Sequence, residues 1–275
     1  YRPSPLRREM AVDFGGKIAL LGYRLDFGNP LRANDDLVNV RPGDTLVVGL
    51  LWQARQAVPE GYTVFVHLLD AQGKGWAQHD GAPFGGVYPT QRWETGEMVR
   101  DTHVLTLPTD LPAGRYVLRV GLYASVTGER LRLSTGGDNL PLASLRVGPA
   151  PVSSPAHATT ARLGDAISLL GYDLTKPAAP SSLHVTLYWQ TQAYVDRNYT
   201  VLVHILGADG KPVAQGDSQP EGGAYPTSLW EPGDTVRDEH TVALPDGLPP
   251  GEYRLAVGLY LLATGQRLSV ATGGD

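Results

Sequence analysis

The sequence predicts an all-β protein made of two tandem antiparallel β-sandwiches of the immunoglobulin-like or jelly-roll type. Three observations predict this fold. Glycine (33) and proline (22) together make up one residue in five of the 275, which is typical of short elements joined by tight turns. Apolar residues alternate with polar ones at the period of two expected of half-buried strands, as in residues 116–122. Finally, the chain repeats itself once.

The repeat covers most of the chain. Residues 50–138 align without a gap with residues 187–275, at an offset of 137, and 48 of the 89 positions are identical. Upstream, Leu-Leu-Gly-Tyr at 20–23 recurs at 169–172 with an offset of 149, so copy one holds 12 additional residues between positions 26 and 44. This tandem duplication predicts two domains, each long enough to bury its own core.

The predicted domain limits follow from composition. Residues 1–148 form the first sandwich, of which residues 1–12 are a leading segment, and residues 149–160 are a Pro- and Ser-rich linker. Residues 161–275 form the second sandwich. We expect about seven or eight short strands in each copy. The stretches 46–52 and 62–69 are apolar on both faces, which predicts central strands covered on both sides.

The two copies differ at their ends. Copy one continues past Thr-Gly-Gly-Asp at 135–138 into an apolar stretch, residues 140–147, that is typical of a closing strand, whereas copy two reaches the same motif at 272–275. The second sandwich is therefore expected to lack its closing strand within this chain. Two explanations remain open: the chain is a fragment, or a neighbouring subunit supplies the strand by donor-strand complementation.

Composition excludes several functional classes. The chain has no cysteine, which excludes disulfides, thiol nucleophiles and cysteine-ligated metal centres. Its net charge is −5 without a basic block, so no nucleic-acid partner is expected. No apolar run approaches the roughly 20 residues that span a bilayer, so no membrane span is expected, and the first residues do not resemble a signal peptide.

A repeated aromatic loop is the predicted ligand site. An aromatic ring offers an apolar face to the C–H face of a sugar, and neighbouring amides and carboxylates could bind its hydroxyls. The alternative is that the loop folds back and buries its tryptophans. The residues predicted to bind a glycan are Tyr88, Trp93, Gln78 and Asp80 in copy one, and Tyr225, Trp230, Gln215 and Asp217 in copy two.

Histidines and acidic residues suggest structural roles. His67 and His204 share a strand face with apolar residues and are expected to be hydrogen-bonded core residues. Asp101 with His103, repeated as Asp238 with His240, is expected to be a polar pair near a sheet edge. No serine or threonine lies in a nucleophile-elbow context, so no catalytic residue and no enzymatic activity are predicted.

No metal site and no cofactor are predicted either. Asp80, Asp217 and the acidic run Asn34-Asp35-Asp36 lack the spacing of a known calcium loop. A structural calcium ion remains an open alternative.

Several motifs carry a resemblance to a known family. They are Leu-Leu-Gly-Tyr at 20–23, Tyr-Thr-Val-x-Val-His at 62–67, Tyr-Pro-Thr-x-x-Trp at 88–93 and Pro-x-Gly-x-Tyr-x-Leu-x-Val-Gly-Leu-Tyr at 112–123. Over residues 13–275 the chain resembles the β-sandwich domains at the extracytoplasmic C-termini of bacterial protein-mannosyltransferase-like membrane glycosyltransferases. More loosely, it is similar to the glycan-binding C-terminal sandwich of O-antigen ABC transporters. The resemblance implies a cell-surface or periplasmic location and a glycan context, and it transfers no catalytic residue.

The sequence thus favours a non-enzymatic module that binds or presents a cell-surface glycan beside a cell-envelope glycosyltransferase. The alternative is a structural surface protein or filament subunit that self-associates through the open edge of its second domain.

Overall fold

The computed structural model describes residues 8–27, 37–175 and 181–271, and it is all-β apart from short 3-10 turns. The chain divides into two compact units, residues 1–147 and 148–275. Residues 34–36, the acidic run considered above as a calcium ligand, lie outside the described residues.

The first unit is a sandwich of two sheets. One sheet has the order β1-β2-β4-β7 and is antiparallel throughout; the other has the order β3-β9-β8-β5-β6, in which only the β3–β9 pair is parallel. Its strands are β1 Arg8–Phe14, β2 Ile18–Phe27, β3 Leu37–Val40, β4 Thr45–Ala54, β5 Tyr62–Asp70, β6 Gly75–Gly81, β7 Met98–Thr106, β8 Gly114–Ala124 and β9 Leu140–Val147.

The second unit repeats this plan with fewer strands. Its sheets have the orders β10-β11-β12-β15 and β14-β13-β16, and both are antiparallel. The strands are β10 His157–Leu163, β11 Ile167–Thr175, β12 Ser182–Thr191, β13 Thr200–Leu206, β14 Pro212–Gln215, β15 Thr235–Ala243 and β16 Arg254–Tyr260. Within the described residues, this unit has no counterpart of β3 or β9.

The additional loop of copy one contributes to this difference. β3 falls inside the stretch where copy one is 12 residues longer, and it pairs in parallel with β9. Sequence reasoning identified the insertion as loop and missed its strand, because four residues carry too little periodicity to be recognised. β10 begins at His157, three residues before the predicted end of the linker at residue 160.

Each core lies between the two sheets and is formed by alternate residues of the strands. The tryptophans of the repeated Trp-Gln motif, Trp52 and Trp189, are both fully buried. Strand β4 alternates strictly between buried and more exposed residues, and its outward-facing Val47 and Leu51 are half-buried. The prediction that residues 46–52 are covered on both sides is therefore wrong, although β4 is a central strand between β2 and β7.

Candidate functional site

The predicted aromatic loop is part of the hydrophobic interior. Trp93, Trp230 and Tyr225 are at most 3% exposed, and Tyr88 is half-buried. Each indole N–H donates to the carbonyl of the tyrosine five residues earlier, at 3.1 Å in copy one and 3.0 Å in copy two. Ring faces that are packed inside a core are unavailable to a sugar, so the platform prediction is wrong for Trp93, Trp230 and Tyr225, and the buried alternative describes them.

The threonine of the Tyr-Pro-Thr-x-x-Trp motif has structural partners as well. The Thr90 hydroxyl is buried and bonds two backbone groups: it donates to Glu60 O at 3.0 Å and accepts from Tyr62 N at 2.9 Å. Thr227 repeats both bonds in copy two. The motif is repeated because it holds the loop against β5 or β13.

The buried Asp–His pairs anchor the preceding turn. His103 Nε2 lies 2.8 Å from Asp101, and the second Asp101 oxygen accepts the backbone N–H of Phe84 at 2.9 Å. Phe84 adopts a positive φ of 53°, a backbone conformation that is unfavourable for residues other than glycine. Copy two repeats the arrangement with Asp238, His240 and Glu221. These pairs lie on β7 and β15, which are edge strands, so the predicted structural role near a sheet edge is confirmed.

His67 occupies a different environment from the one predicted. It points away from the core, to the outer face of the five-stranded sheet, where its Nε2 lies 2.8 Å from Asp80 Oδ1. The His67 side chain is 21% exposed, so its assignment as a core residue is wrong. His204 makes the equivalent contact with Asp217 at 3.2 Å and is more buried. Gln78 and Gln215 lie directly opposite these histidines in the strand register and are exposed.

The outer face of copy one carries an aromatic cluster that sequence reasoning did not identify. Phe65 lies over Gly121, its direct partner on β8, and a Cβ on that glycine would come within 2.3 Å of the ring. The Arg130 guanidinium lies over the Phe65 ring, 4.5 Å from its centroid. Tyr123 stacks beside it, with centroids 6.3 Å apart, and the His67 ring is 4.8 Å away. The sequence does contain a pattern that points to this cluster: the period-two alternation of residues 116–122 assigns residues 119, 121 and 123 to the face opposite the core.

A cavity of about 300 Å³ opens on the same face next to this cluster. Arg119 projects into its wall and donates to Asn139 Oδ1 at 2.7 Å. Asp70 accepts hydrogen bonds from the Trp76 indole and from the backbone N–H groups of Gln72 and Lys74, and the Trp76 bond is the main cause that lowers the pKa of this carboxyl. The cavity is lined by Leu69, Asp70, Ala71, Gly73, Val117, Arg119 and Asn139.

Copy two presents a related but more open face. Leu202 replaces Phe65, and a Cβ on Gly258, the counterpart of Gly121, would meet nothing within 4 Å. Tyr260 is half-buried beside this bare backbone. Burial, then the charge of Asp217 and a hydrogen bond to it, raise the pKa of the Tyr260 phenol. The face therefore offers one ring, one fixed carboxylate and exposed backbone.

Two further tests concern metals and membranes. Among the described residues, no group of three or more His, Asp or Glu side chains is placed to hold a metal ion. Asp80 and Asp217, considered above for calcium, are paired with histidines instead. Within residues 8–27, 37–175 and 181–271, no helix has the length and apolarity needed to cross a bilayer.

Among the comparisons with known proteins, only the comparison with solved structures finds similar chains. No protein-family model matches the chain, and no curated protein does. The crystal structure of the C-terminal domain of wzt is 14% identical, with a TM-score of 0.32, over 55% of this chain and 86% of that chain. E. coli alpha-2-macroglobulin in its native conformation is 13% identical, with a TM-score of 0.25, over 94% of this chain and 14% of that chain. The function therefore has to come from the residues of this chain.

Proposed function

We propose that the chain is a non-enzymatic, extracytoplasmic glycan-binding module, an accessory region of a cell-envelope glycosyltransferase-type protein. We place the binding surface on the outer faces of the sheets that contain β5 and β13. The observation that carries the proposal is a histidine–carboxylate pair that recurs on those faces, His67–Asp80 and His204–Asp217, with a tyrosine on the same face. Tyr260 hydrogen-bonds to Asp217, whereas Tyr123 stacks on Phe65, whose ring lies 4.8 Å from that of His67.

The chemistry of this arrangement suits a sugar. A tyrosine ring packs against the apolar C–H face of a pyranose while its hydroxyl remains available for hydrogen bonding. A carboxylate already oriented by a histidine can accept from sugar hydroxyls without a large loss of side-chain entropy. These side chains stand on strands, which hold them more rigidly than loops do.

Each copy offers a distinct recess for the sugar ring. In copy one, Arg119 and Asn139 flank the cavity beside His67 and supply a fixed donor and an amide. In copy two, the bare backbone at Gly258 lies next to Tyr260. Because Ala256 replaces Arg119 and Gly207 replaces Asp70, the copy-one recess has one cationic and one anionic side chain that the copy-two recess lacks. We therefore propose that the two copies prefer different sugar units.

The test is a glycan array and pull-down with bacterial surface polysaccharides and simple glycans, using the full chain. Tyr260→Ala should abolish binding by copy two. Tyr194→Ala is the matched control, because this tyrosine is 71% exposed and lies outside the face. Arg119→Ala should weaken binding at the copy-one cavity, with exposed Arg100→Ala on the other sheet as its control.

The outcomes separate the possibilities. Loss of binding in the face variants, with the control variants unchanged and all variants folded, supports the site. Saturable binding by a chain that carries both Tyr260→Ala and Arg119→Ala would place the site elsewhere. A wild-type chain without saturable binding to any polysaccharide overturns the glycan function.

One observation favours the alternative, a structural subunit that assembles through strand complementation. Within the described residues, β16 has a free edge, and exposed edges of this kind promote association. The alternative predicts concentration-dependent association of the chain in sedimentation experiments. A chain that stays monomeric at high concentration contradicts it.

A further inference from the structure

The free edge of β16 is the clearest unpartnered feature of the molecule. In copy one, β8 lies between β5 and β9. Its counterpart β16 pairs with β13 on one side. On the other side only the end of β16 is paired, through a bridge between Tyr260 and Arg267 and a hydrogen bond from Leu268 N to the Leu259 carbonyl. Within residues 8–27, 37–175 and 181–271, no strand pairs with this side of residues 254–258. Unpaired N–H and C=O groups along a strand form a template for another strand.

The inward-facing side chains of β16 are less buried than those of β8, although these residues are identical in the two strands. Leu118 and Val120 are completely buried in copy one. Their identical counterparts, Leu255 and Val257, are only half-buried. Apolar side chains that lose exposure only when a neighbouring strand is present indicate a place where such a strand adds stability.

The facing sheet shows the same difference. Leu25 is 2% exposed, whereas its counterpart Leu174 is 43% exposed. Tyr23 is 4% exposed and donates its hydroxyl to the carbonyl of Leu142 on β9. Its counterpart Tyr172 is half-buried and stacks on His157. Residues Tyr172, Leu174, Leu255 and Val257 therefore form an open apolar trough, called here the β16 trough.

Copy one shows what covers such a trough. Strand β9 runs antiparallel to β8, and its inward residues Leu142, Leu145 and Val147 are at most 3% exposed. The β8–β9 register shifts between Leu118 and Arg119, and Leu142 lies in this irregularity, where its carbonyl accepts the Tyr23 hydroxyl. The occupant is thus an extended strand with apolar inward side chains and one irregularity near its start.

We propose that the β16 trough is a docking site for an extended polypeptide strand of the β9 type. The strand adds antiparallel to β16, with its first apolar residue opposite Val257 and a later one opposite Tyr253, as Leu140 and Leu145 lie opposite Val120 and Tyr116. The carbonyl at its irregularity accepts the Tyr172 hydroxyl. Backbone hydrogen bonds provide affinity, and the inward side chains provide specificity. This inference is independent of the glycan proposal.

The first experiment adds the strand in trans. A peptide with the sequence of residues 139–147 is titrated into the full chain by calorimetry, and amide exchange of residues 254–260 is followed by mass spectrometry. We expect one saturable site and slower exchange of those β16 amides that point away from β13. A matched peptide with Leu142→Ser, Leu145→Ser and Val147→Ser keeps the length and should bind at least about ten-fold more weakly, because it buries less apolar surface.

Chain variants place the site. Leu174→Asp puts a charge into the trough at an already exposed position, so the chain should fold, and peptide affinity should fall at least about ten-fold. Leu262→Asp is the control, because Leu262 is 70% exposed and lies outside the trough, and its affinity should not change.

The second experiment adds the strand in cis. Joining the sequence of residues 139–147 after Asp275 raises the effective concentration of the strand. We expect the unfolding midpoint of the second unit to rise by about 5 °C or more, and the serine-substituted extension to give no such rise.

Three results would overturn the proposal. One is the absence of both peptide binding and stabilisation by the extension. Another is equal binding of the native and serine-substituted peptides, which would show unspecific adhesion. The third is a dimer that protects the β16 amides and does not dissociate with added peptide, because a second copy would then be the occupant.

Discussion

The two copies of the sandwich have the same core motifs and different surroundings. Leu118 and Leu255 are the same residue in the same strand position, yet one is fully buried and the other is half-buried. The cause is the neighbour: β9 lies beside β8, and no described strand takes its place beside β16. The burial of a strand is thus decided by what pairs with it as much as by its own sequence.

The outer sheet faces of the two copies also differ. In copy one, Phe65 fills the space over Gly121, whereas in copy two Leu202 leaves the backbone at Gly258 open. The surface has therefore changed shape between the copies, while the pairing of the two strands that carry it, β5 with β8 and β13 with β16, is the same. Function can diverge between repeats in this way without any change of fold.

The largest expected effect tests whether the two cores are equivalent. Trp52→Ala and Trp189→Ala each remove a fully buried indole and should lower the free energy of unfolding of their own unit by about 3–5 kcal/mol. Urea unfolding with hydrogen exchange read out separately for each unit measures the two values. A loss below about 1 kcal/mol in either copy contradicts a core role for that tryptophan.

The next effect should differ between the copies. Gly121→Ala brings a Cβ within 2.3 Å of the Phe65 ring and 2.8 Å of the Asp138 carbonyl, and this overpacking should cost about 1–3 kcal/mol. Gly258→Ala is the matched control, because nothing lies within 4 Å of its Cβ position. It should leave stability unchanged or raise it by about 0.5–1 kcal/mol, since alanine restricts the unfolded chain. Equal effects of the two substitutions in urea unfolding would show that the outer faces do not differ.

Much of the fold could be predicted from the sequence, because it depends on local periodicity and on the repeat. The alternation in residues 116–122 identifies β8, and the constant offset of 137 transfers that assignment to β16. The all-β class and the antiparallel sandwiches are confirmed. β3 could not be predicted, because a parallel pairing with β9 depends on contacts more than 100 residues apart.

The candidate site was less predictable. Aromatic residues in a loop indicate either a binding platform or a buried plug, and only the packing of Trp93 and Trp230 distinguishes these. Conversely, Phe65 and His67 look like core residues in an apolar strand, but both lie on the outer face of the five-stranded sheet, where Phe65 is 2% exposed beside Tyr123 and Arg130. Sequence patterns show that a strand has two faces, but they do not show which side chains each face brings together.

A smaller effect tests the covering strand of copy one. Tyr23→Phe removes the hydroxyl that donates to Leu142 on β9 and leaves a buried carbonyl without this donor, which should cost about 1–2 kcal/mol. Tyr172→Phe in copy two should have almost no effect on the unextended chain, since the described residues give its hydroxyl no counterpart of that carbonyl. Thermal unfolding of each unit checks both values. A comparable loss in copy two would show that the Tyr172 hydroxyl already has a buried acceptor.

The smallest expected effect is a difference in pH dependence. Burial opposes a charge on His240, but its Nε2 lies 2.7 Å from Asp238 and its Nδ1 lies 3.0 Å from the Gly216 carbonyl. Because both ring nitrogens face acceptors, these contacts raise the pKa of His240 above its usual 6.5. Glu221 is exposed as a residue, but desolvation of its carboxyl, followed by the charges of Asp238 and Glu239, raises its pKa to about 7.

In copy one, the counterparts differ: His103 Nδ1 faces His79 at 2.8 Å, and Phe84 replaces Glu221. Burial would raise the pKa of Asp101, but the hydrogen bond from His103 and its charge outweigh it, so this pKa is lowered. A lowered carboxyl pKa stabilises the fold above the unfolded value near 3.8 and loses this contribution as the pH falls through the folded value. The contribution of Asp101 in copy one should therefore be lost only in acid.

Copy two should behave in the opposite way. Raised pKa values stabilise the fold below the unfolded values, and this contribution is lost as the pH rises through the folded ones. For Glu221 the loss extends from about 4.5 to about 7, and for His240 it begins near 6.5 and continues upward. The second unit should thus become less stable between about pH 5 and pH 8, while the first does not. Urea midpoints measured for each unit across this range test the difference, and Glu221→Gln should remove the lower part of the slope. Parallel profiles for the two units would show that the replacement of His79 by Gly216 and of Phe84 by Glu221 has no electrostatic consequence.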